Sequence, residues 1–243
     1  MRTAIITGVS TGIGRSLAVN FVAQGYRVFG VSRNEDILAQ LKSKLGKRFE
    51  YLAVDLVEEG SVDNVFFTAK KVFNCEPDLI IANAGRGIKG SVSTVNMQEF
   101  EEVMDLNYLS TIKLLQKSAN VLKNINSDSK DIVVIGSVAG SNISPFSSAY
   151  GTSKIAIHWA AEALRRELAP EGIRVSLIIP GVVKSNFQEN AGYDDNLIDS
   201  FENDFGPLIS PDELAETIST IISLPSHINI SEMTIRPTKQ AYP

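Results

Sequence analysis

Cysteine occurs once in the 243 residues, as Cys75. No intrachain disulfide can form, and nothing in the chain calls for an oxidising compartment. Cys75 is expected to act as a small buried apolar residue ahead of a strand. Histidine is nearly as scarce, with two copies, and no group of His, Cys and acids has metal-ligand spacing, so no catalytic metal is expected. No apolar run approaches the roughly 18–20 residues that cross a bilayer. The opening segment, Met1 to Thr7, reaches a glycine turn too soon to hold the apolar stretch of a signal peptide. A soluble, cytoplasmic protein is the expectation. Basic residues are outnumbered, 23 against 28, and the resulting charge of −5 repels a phosphate backbone, which argues against nucleic acid as a partner. Repeats, low-complexity tracts and linkers are also missing.

What is present is an ordinary globular balance, 44% hydrophobic and 21% charged. Short runs rich in Val and Ile lie near residues 2–7, 27–32, 50–54, 78–82, 131–135, 173–179 and 231–235. They carry little polar alternation, as strands covered on both faces do. Segments of helical period separate them, near 13–24, 35–45, 59–74, 96–123, 148–169 and 211–223. This alternation predicts a single-domain α/β fold, a Rossmann-type doubly wound parallel sheet of about seven strands with helices on both faces. Ser210-Pro211-Asp212-Glu213 reads as an N-cap, a first-turn proline and first-turn acids. Pro170 and Gly172 stop the preceding helix. One long insertion, from about 185 to 207, is polar, acidic and irregular, with aromatic residues spaced through it. It reads as a substrate lid.

The first strand runs into Thr7-Gly8-Val9-Ser10-Thr11-Gly12-Ile13-Gly14 and then a helix. Glycine permits the tight turn and close backbone approach to a pyrophosphate. The helix N-terminus offers free N–H groups and a positive dipole end. The second strand ends in Ser32-Arg33. An acid in the place of Ser32 would hold the ribose 2′-hydroxyl of NAD, whereas an arginine there accepts the 2′-phosphate of NADP, so NADP(H) is favoured over NAD(H).

Tyr150 and Lys154 lie four positions apart and share one face of a helix. A phenol with a pKa near 10 is a poor proton shuttle at neutral pH, and an adjacent ammonium is expected to lower it. Ser137 follows the strand 131–135, where its hydroxyl can polarise a carbonyl, and Asn107 lies in the long preceding helix.

With these residues placed, the sequence resembles the short-chain dehydrogenase/reductase family over essentially its whole length. The likeness rests on Thr7-Gly-x-x-x-Gly12-x-Gly14, Asp55, Asn83-Ala84-Gly85, Asn107, Ser137, Tyr150, Lys154 and Pro180-Gly181, in the family's order and spacing. It implies that Tyr150 is the general acid in reduction and the base in oxidation. Lys154 lowers the tyrosine pKa and binds the nicotinamide ribose, Ser137 holds the substrate oxygen, and Asn107 supports a water in the proton relay. Asp55, with Leu56 beside it, contacts adenine. Asn83, Ala84 and Gly85 line the cofactor cleft, and the backbone after Pro180-Gly181 meets the carboxamide, with Val183 and Ser185 nearby. Ala82, Ile179 and Ser185 depart from the family's commonest residues without removing a catalytic group.

The C-terminal stretch is similar to the branch of NADP-dependent 3-hydroxy acid dehydrogenases that oxidise serine and allo-threonine. A carboxylate needs a cation, for which Arg86 is the first candidate and Lys89 and Lys184 weaker ones. Phe146, Phe187 and Tyr193 could instead line an apolar pocket for a neutral or aromatic carbonyl, and a 3-oxoacyl substrate is a further reading. A non-catalytic NADP-binding sensor is the alternative of another class. His158, one turn beyond Lys154, is assigned a structural role, and His227 a loop or interface role. The resemblance also implies a homodimer or homotetramer built on helices 96–123 and 148–169.

Overall fold

A computed structural model describes residues 1–142 and 147–242, so Phe146 lies outside the described residues. Seven parallel strands form one sheet in the order β3-β2-β1-β4-β5-β6-β7. They span Thr3–Thr7 (β1), Arg27–Ser32 (β2), Phe49–Ala53 (β3), Leu79–Ala82 (β4), Asp131–Ile135 (β5), Arg174–Pro180 (β6) and Glu232–Ile235 (β7). Every residue of β1, β4, β5 and β6 is buried, as the unbroken apolar runs require. The outer strands β3 and β7 are only partly covered.

Helices cover both faces. On one lie α1 (Gly12–Ala23), α2 (Glu35–Leu45) and α10 (Pro211–Ser223), which bury Leu17, Phe21, Leu38 and Ile218 against the sheet. On the other lie α3 (Ser61–Phe73), α5 (Ser110–Lys123) and α7 (Ser148–Leu168), which bury Phe66, Leu114 and Ile157. Helix α10 starts as expected: the Ser210 hydroxyl accepts from Glu213 N at 3.2 Å, and Glu213 accepts from Ser210 N at 2.7 Å.

Two expectations change. The predicted helix 96–123 is α4 (Met97–Met104) and α5 joined by a π-helical segment, Asp105–Leu109. Residue periodicity could not reveal it, because one extra residue in a turn leaves the apolar stripe nearly intact. The insertion 185–207 is not irregular: it contains α8 (Phe187–Asn190) and the amphipathic α9 (Asp195–Phe205), capped by the Asp194 carboxylate accepting from Leu197 N. Its high acid content masked a helix that keeps one apolar face on the molecule. The remaining short helix, α6 (Val138–Ser141), follows β5.

At the amino ends of the central strands sits a buried charge cluster. Asp131 accepts from Arg2 Nη2 and from Arg174 Nε, both at 2.6 Å. Arg2 also pairs with Asp78 at 3.1 Å, and Arg174 donates to the carbonyls of Ile222, Leu224 and Ile228 at the end of α10. Strands β1, β4, β5 and β6 are thereby tied to one another and to a helix terminus. Removing one partner of a buried pair leaves an uncompensated charge. Asp131→Ala should therefore lower the unfolding free energy by about 3–5 kcal/mol in a denaturant titration. Glu162→Ala, which breaks the surface pairs of Glu162 with Arg165 and Arg166, should cost far less in the same titration. Equal losses would show that the cluster does not brace the sheet.

Candidate active site

The carboxyl ends of the strands gather the residues singled out above. After β1, Gly8 and Gly12 take left-handed φ values of 74° and 51°, which disfavour other residues. Gly14 packs so tightly that a Cβ would lie 2.5 Å from Asn83 Nδ2. Helix α1 then begins without a side-chain cap from Thr11, leaving the N–H groups of its first turn, at Ile13 and Gly14, open to an anion. Ser10 stands in the same turn, and Ser185, from the insertion, faces Gly12.

At the end of β2 the Ser32 hydroxyl is buried and has no hydrogen-bond partner among the described residues. A buried hydroxyl left unsatisfied costs free energy that a ligand oxygen can recover. Arg33 beside it is 70% exposed and meets Asp55 only at 3.7 Å. These groups, with the glycine turn, fit a dinucleotide bearing a phosphate on its adenosine ribose. Asp55 also accepts from Val57 N at 3.1 Å, and Leu56 is buried beneath.

Asn83 and Ala84 follow β4 and are anchored on Thr7, whose hydroxyl accepts from both main-chain N–H groups at 3.0 Å. Gly85 passes close to Asn107: a Cβ would lie 3.0 Å from its Oδ1. The π segment turns the buried Asn107 inward. Its Oδ1 accepts from Arg86 N at 2.9 Å, and its Nδ2 donates to Arg86 O at 2.9 Å and Ser153 Oγ at 3.0 Å. Arg86 itself turns its guanidinium to Glu102 at 2.6 Å, so the first candidate for a carboxylate partner is already charge-paired.

Ser137, just past β5, has its hydroxyl close enough to the Tyr150 phenol to favour its ionisation, and it also accepts from Ala139 N at 3.2 Å. Lys154 lies beneath, with Nζ 5.9 Å from the centre of the Tyr150 ring and donating to Ile135 O at 3.0 Å. The expected fall in the tyrosine pKa is not what this arrangement produces. Burial drives the Tyr150 value up, outweighing the nearby Ser137 hydroxyl, while burial pulls Lys154 down to about 8. A charged lysine that lowers its neighbour must itself stay charged, and here desolvation acts on both groups. The phenol is accordingly held in its proton-bearing form.

His158 has the structural place assigned to it. Its Nε2 accepts from Ser137 N at 3.3 Å, and burial, aided by Lys154, pulls it down to about 4, so it is neutral at pH 7. The imidazole fills the space beside Gly136 and Gly140, where a Cβ would collide with it. Cys75 is only half-buried and accepts from Arg27 Nη2 at 2.9 Å, so it is more than the apolar filler expected.

Beyond β6, Pro180 and Gly181 lead to Val183, which bridges to Ile209. One residue here escaped sequence analysis. Gln240, three positions from the chain end, is buried, and its Oε1 accepts from Val182 N at 2.9 Å. Gly181 must be glycine to admit it, and Gly181 N donates to Ile235 O at 2.7 Å. No periodicity marks a lone glutamine in a tail; only the fold brings it to this loop. Among the described residues no group of acids, His and Cys could hold a metal, and no helix is long and apolar enough to cross a membrane.

Comparison with known proteins agrees with this geometry. The family model described as short chain dehydrogenase matches residues 2–196. An uncharacterized oxidoreductase of Staphylococcus epidermidis is 27% identical over 238 residues, covering 97% of each chain. Among solved structures, the closed form of a serine dehydrogenase complexed with NADP+ superposes with a TM-score of 0.90 at 22% identity, covering 99% of this chain and 96% of that one. A 3-ketoacyl-(acyl-carrier-protein) reductase from Brucella melitensis complexed with NADH superposes at 0.88 with 24% identity and 98% coverage of both. At these identities the superpositions speak for the fold alone.

Gln240→Leu removes the acceptor and strands the Val182 N–H. A hydrogen bond of about 0.5–1.5 kcal/mol predicts up to about tenfold weaker binding of a nicotinamide dinucleotide, read by fluorescence titration. Unchanged affinity would show that the loop holds its shape without the tail.

Proposed function

Because the chain belongs to the short-chain dehydrogenase family, we propose that it transfers hydride between NADP(H) and the alcohol or carbonyl group of a small molecule. One observation carries the reading: the Ser137 hydroxyl acts on the buried Tyr150 phenol, with Lys154 Nζ 5.9 Å from the centre of its ring, at the strand ends that also carry the glycine turn. All the groups required for proton transfer to a carbonyl oxygen are present, which weighs against a sensor without turnover.

The chain's residues divide the work. Gly8, Ser10, Thr11, Gly12, Ile13 and Gly14 would hold the pyrophosphate; Asp55 and Leu56 the adenine; and Asn83, Ala84, Gly85, Pro180, Gly181, Val183 and Ser185 the nicotinamide side. When bound, the nicotinamide supplies hydride for reduction or accepts it in oxidation. Ser137 holds the substrate oxygen, and Tyr150 gives it a proton in reduction. The upward push on its pKa keeps that proton in place at neutral pH. Lys154 would contact the nicotinamide ribose and steady the phenolate that forms, and Asn107 holds the adjoining backbone at Arg86.

Choice of NADP over NAD rests on Ser32 and Arg33. An unsatisfied buried hydroxyl and an exposed guanidinium with only a long ion pair are suited to take a phosphate. A homodimer or homotetramer is supported by Leu109 and Ile155 together with Trp159, which is 73% exposed on α7, a large apolar surface for a free face. A 3-hydroxy acid is the second reading for the substrate. It draws on the likeness to the serine dehydrogenase.

The test is absorbance at 340 nm with the purified protein. NADP+ is supplied with serine, allo-threonine and neutral alcohols, and NADPH with matching carbonyls. Tyr150→Phe should bind cofactor almost normally and lose turnover by a factor of about 100–10,000, as loss of a general acid does. Near-normal turnover would remove Tyr150 from the chemistry. Arg33→Ala should weaken NADPH by roughly tenfold or more and leave NADH within about twofold, since a charge-assisted bond is worth about 1.5–3 kcal/mol. Equal losses would mean that Arg33 does not read the phosphate.

A further inference from the structure

The insertion closes over the catalytic phenol with an aromatic roof. Phe187, the first residue of α8, sets its ring 5.3 Å from that of Tyr150, tilted by 56°. Gly87 permits the approach: a Cβ there would lie 2.6 Å from Ala191 and 2.8 Å from the Phe187 ring. Lys89 N donates to Ala191 O at 3.2 Å, fastening α8 to the loop after β4. Farther along, Tyr193 is half-buried near Ser147, the N-cap of α7, and close enough to Tyr150 to oppose its ionisation. Behind Tyr193, Phe201 meets it edge-on at 6.4 Å. Ile88 and Ala149 are buried beside Tyr150. A substrate oxygen that reaches Tyr150 and Ser137 therefore brings its flank against, or in place of, the Phe187 ring.

The charges at this mouth do not suit an anion. Arg86 is neutralised by Glu102 at 2.6 Å. Lys89 is exposed and shares a cleft of about 650 Å³ with Glu99 and Asp194. Lys154 is buried and bonded to Ile135 O. The acids of α9 face solvent and add a negative field. A carboxylate entering under the roof would lose its hydration with Arg86 and Lys154 engaged elsewhere, leaving only the exposed Lys89, in a cleft shared with two acids, to replace it.

Building on the proposed hydride transfer, we infer that Phe187 and Tyr193 select an uncharged carbonyl compound with a flat apolar group beside the reacting carbon, an aryl aldehyde or ketone, over a 3-hydroxy or 3-oxo acid. Aromatic rings pair at centroid separations of about 4.5–7 Å, in stacked or edge-on geometry, and the roof presents ring surface at that range from the catalytic phenol. In the reaction, hydride from NADPH adds to the carbonyl carbon and the Tyr150 proton to the oxygen. An alcohol and NADP+ result, and solvent returns the proton to Tyr150.

The experiment compares benzaldehyde with 4-carboxybenzaldehyde, equal in ring and reacting group but different in charge, with NADPH. Benzaldehyde should have a kcat/KM more than about tenfold higher. Phe187→Ala and Tyr193→Ala should each lower the benzaldehyde value about tenfold, with the Kd for NADPH within about twofold of the parent. Should Phe187→Ala lose NADPH binding, Phe187→Leu serves the same comparison. Equal or better use of the carboxylate, or lid variants that leave benzaldehyde untouched, would overturn the inference. Calorimetry of benzyl alcohol and 4-(hydroxymethyl)benzoate with the NADPH-loaded protein, pairs that cannot react, separates the two levels. If no carbonyl is turned over but benzyl alcohol binds more tightly, and loses affinity in Phe187→Ala, the pocket stands and the hydride-transfer reading falls. No preference in binding overturns the pocket as well.

Discussion

The Thr7 hydroxyl sits where the order of strands reverses, between β1 and β4, and accepts from the N–H groups of both Asn83 and Ala84 at 3.0 Å. Asn83 returns the contact, donating from Nδ2 to Thr7 O at 2.9 Å. Two strand ends that helices would otherwise carry apart are thus locked in register at the point where an open α/β sheet leaves a crevice. The glycine turn is built on this lock, since Gly8 and Gly14 both pack on Asn83. Gly85 then passes Asn107, which through Ser153 reaches the turn of α7 that carries Tyr150 and Lys154. A shift at Thr7 would propagate through short, buried hydrogen bonds to every group the chemistry needs.

The two ends of the sheet handle charge in opposite ways. At the amino ends, Asp131 is buried with two guanidinium partners, and the arginines spend their remaining donors on carbonyls. Burial there is offset by pairing. At the carboxyl ends, Tyr150, Lys154 and His158 are buried, Lys154 on the Ile135 carbonyl and His158 on the Ser137 N–H, with no ion pair among the described residues, and all three are driven toward their neutral forms. One end is thereby a brace; the other holds protons that can move. A site that keeps its phenol protonated and its lysine pKa pulled down to about 8 can exchange protons nearer neutral pH than a fully paired cluster.

Much of this was legible in the chain. Unbroken apolar runs between segments of helical period imply a doubly covered parallel sheet, and the structure has all seven strands close to the expected positions. The glycine turn, Ser137, and Tyr150 with Lys154 come from local spacing, so they could be found without coordinates. Other features could not. The π segment that turns Asn107 inward adds one residue to a turn, below what periodicity resolves. Helix α9 hid behind its acids, and Gln240 meets Val182 across 58 positions. Arg86 looked like a free cation because Glu102, its partner, is brought to it only by packing.

The sequence by itself determined the architecture and the chemical groups, because side-chain alternation, turn glycines and helix spacing are short-range properties of the chain. The tertiary structure decided protonation and the shape of the pocket. Both depend on what surrounds a group after folding. Desolvation raised Tyr150 although Lys154 stands four residues away, and a lid helix placed a phenyl ring on the phenol. Neither effect has a local signature, since burial and cross-chain contact exist only once distant segments meet.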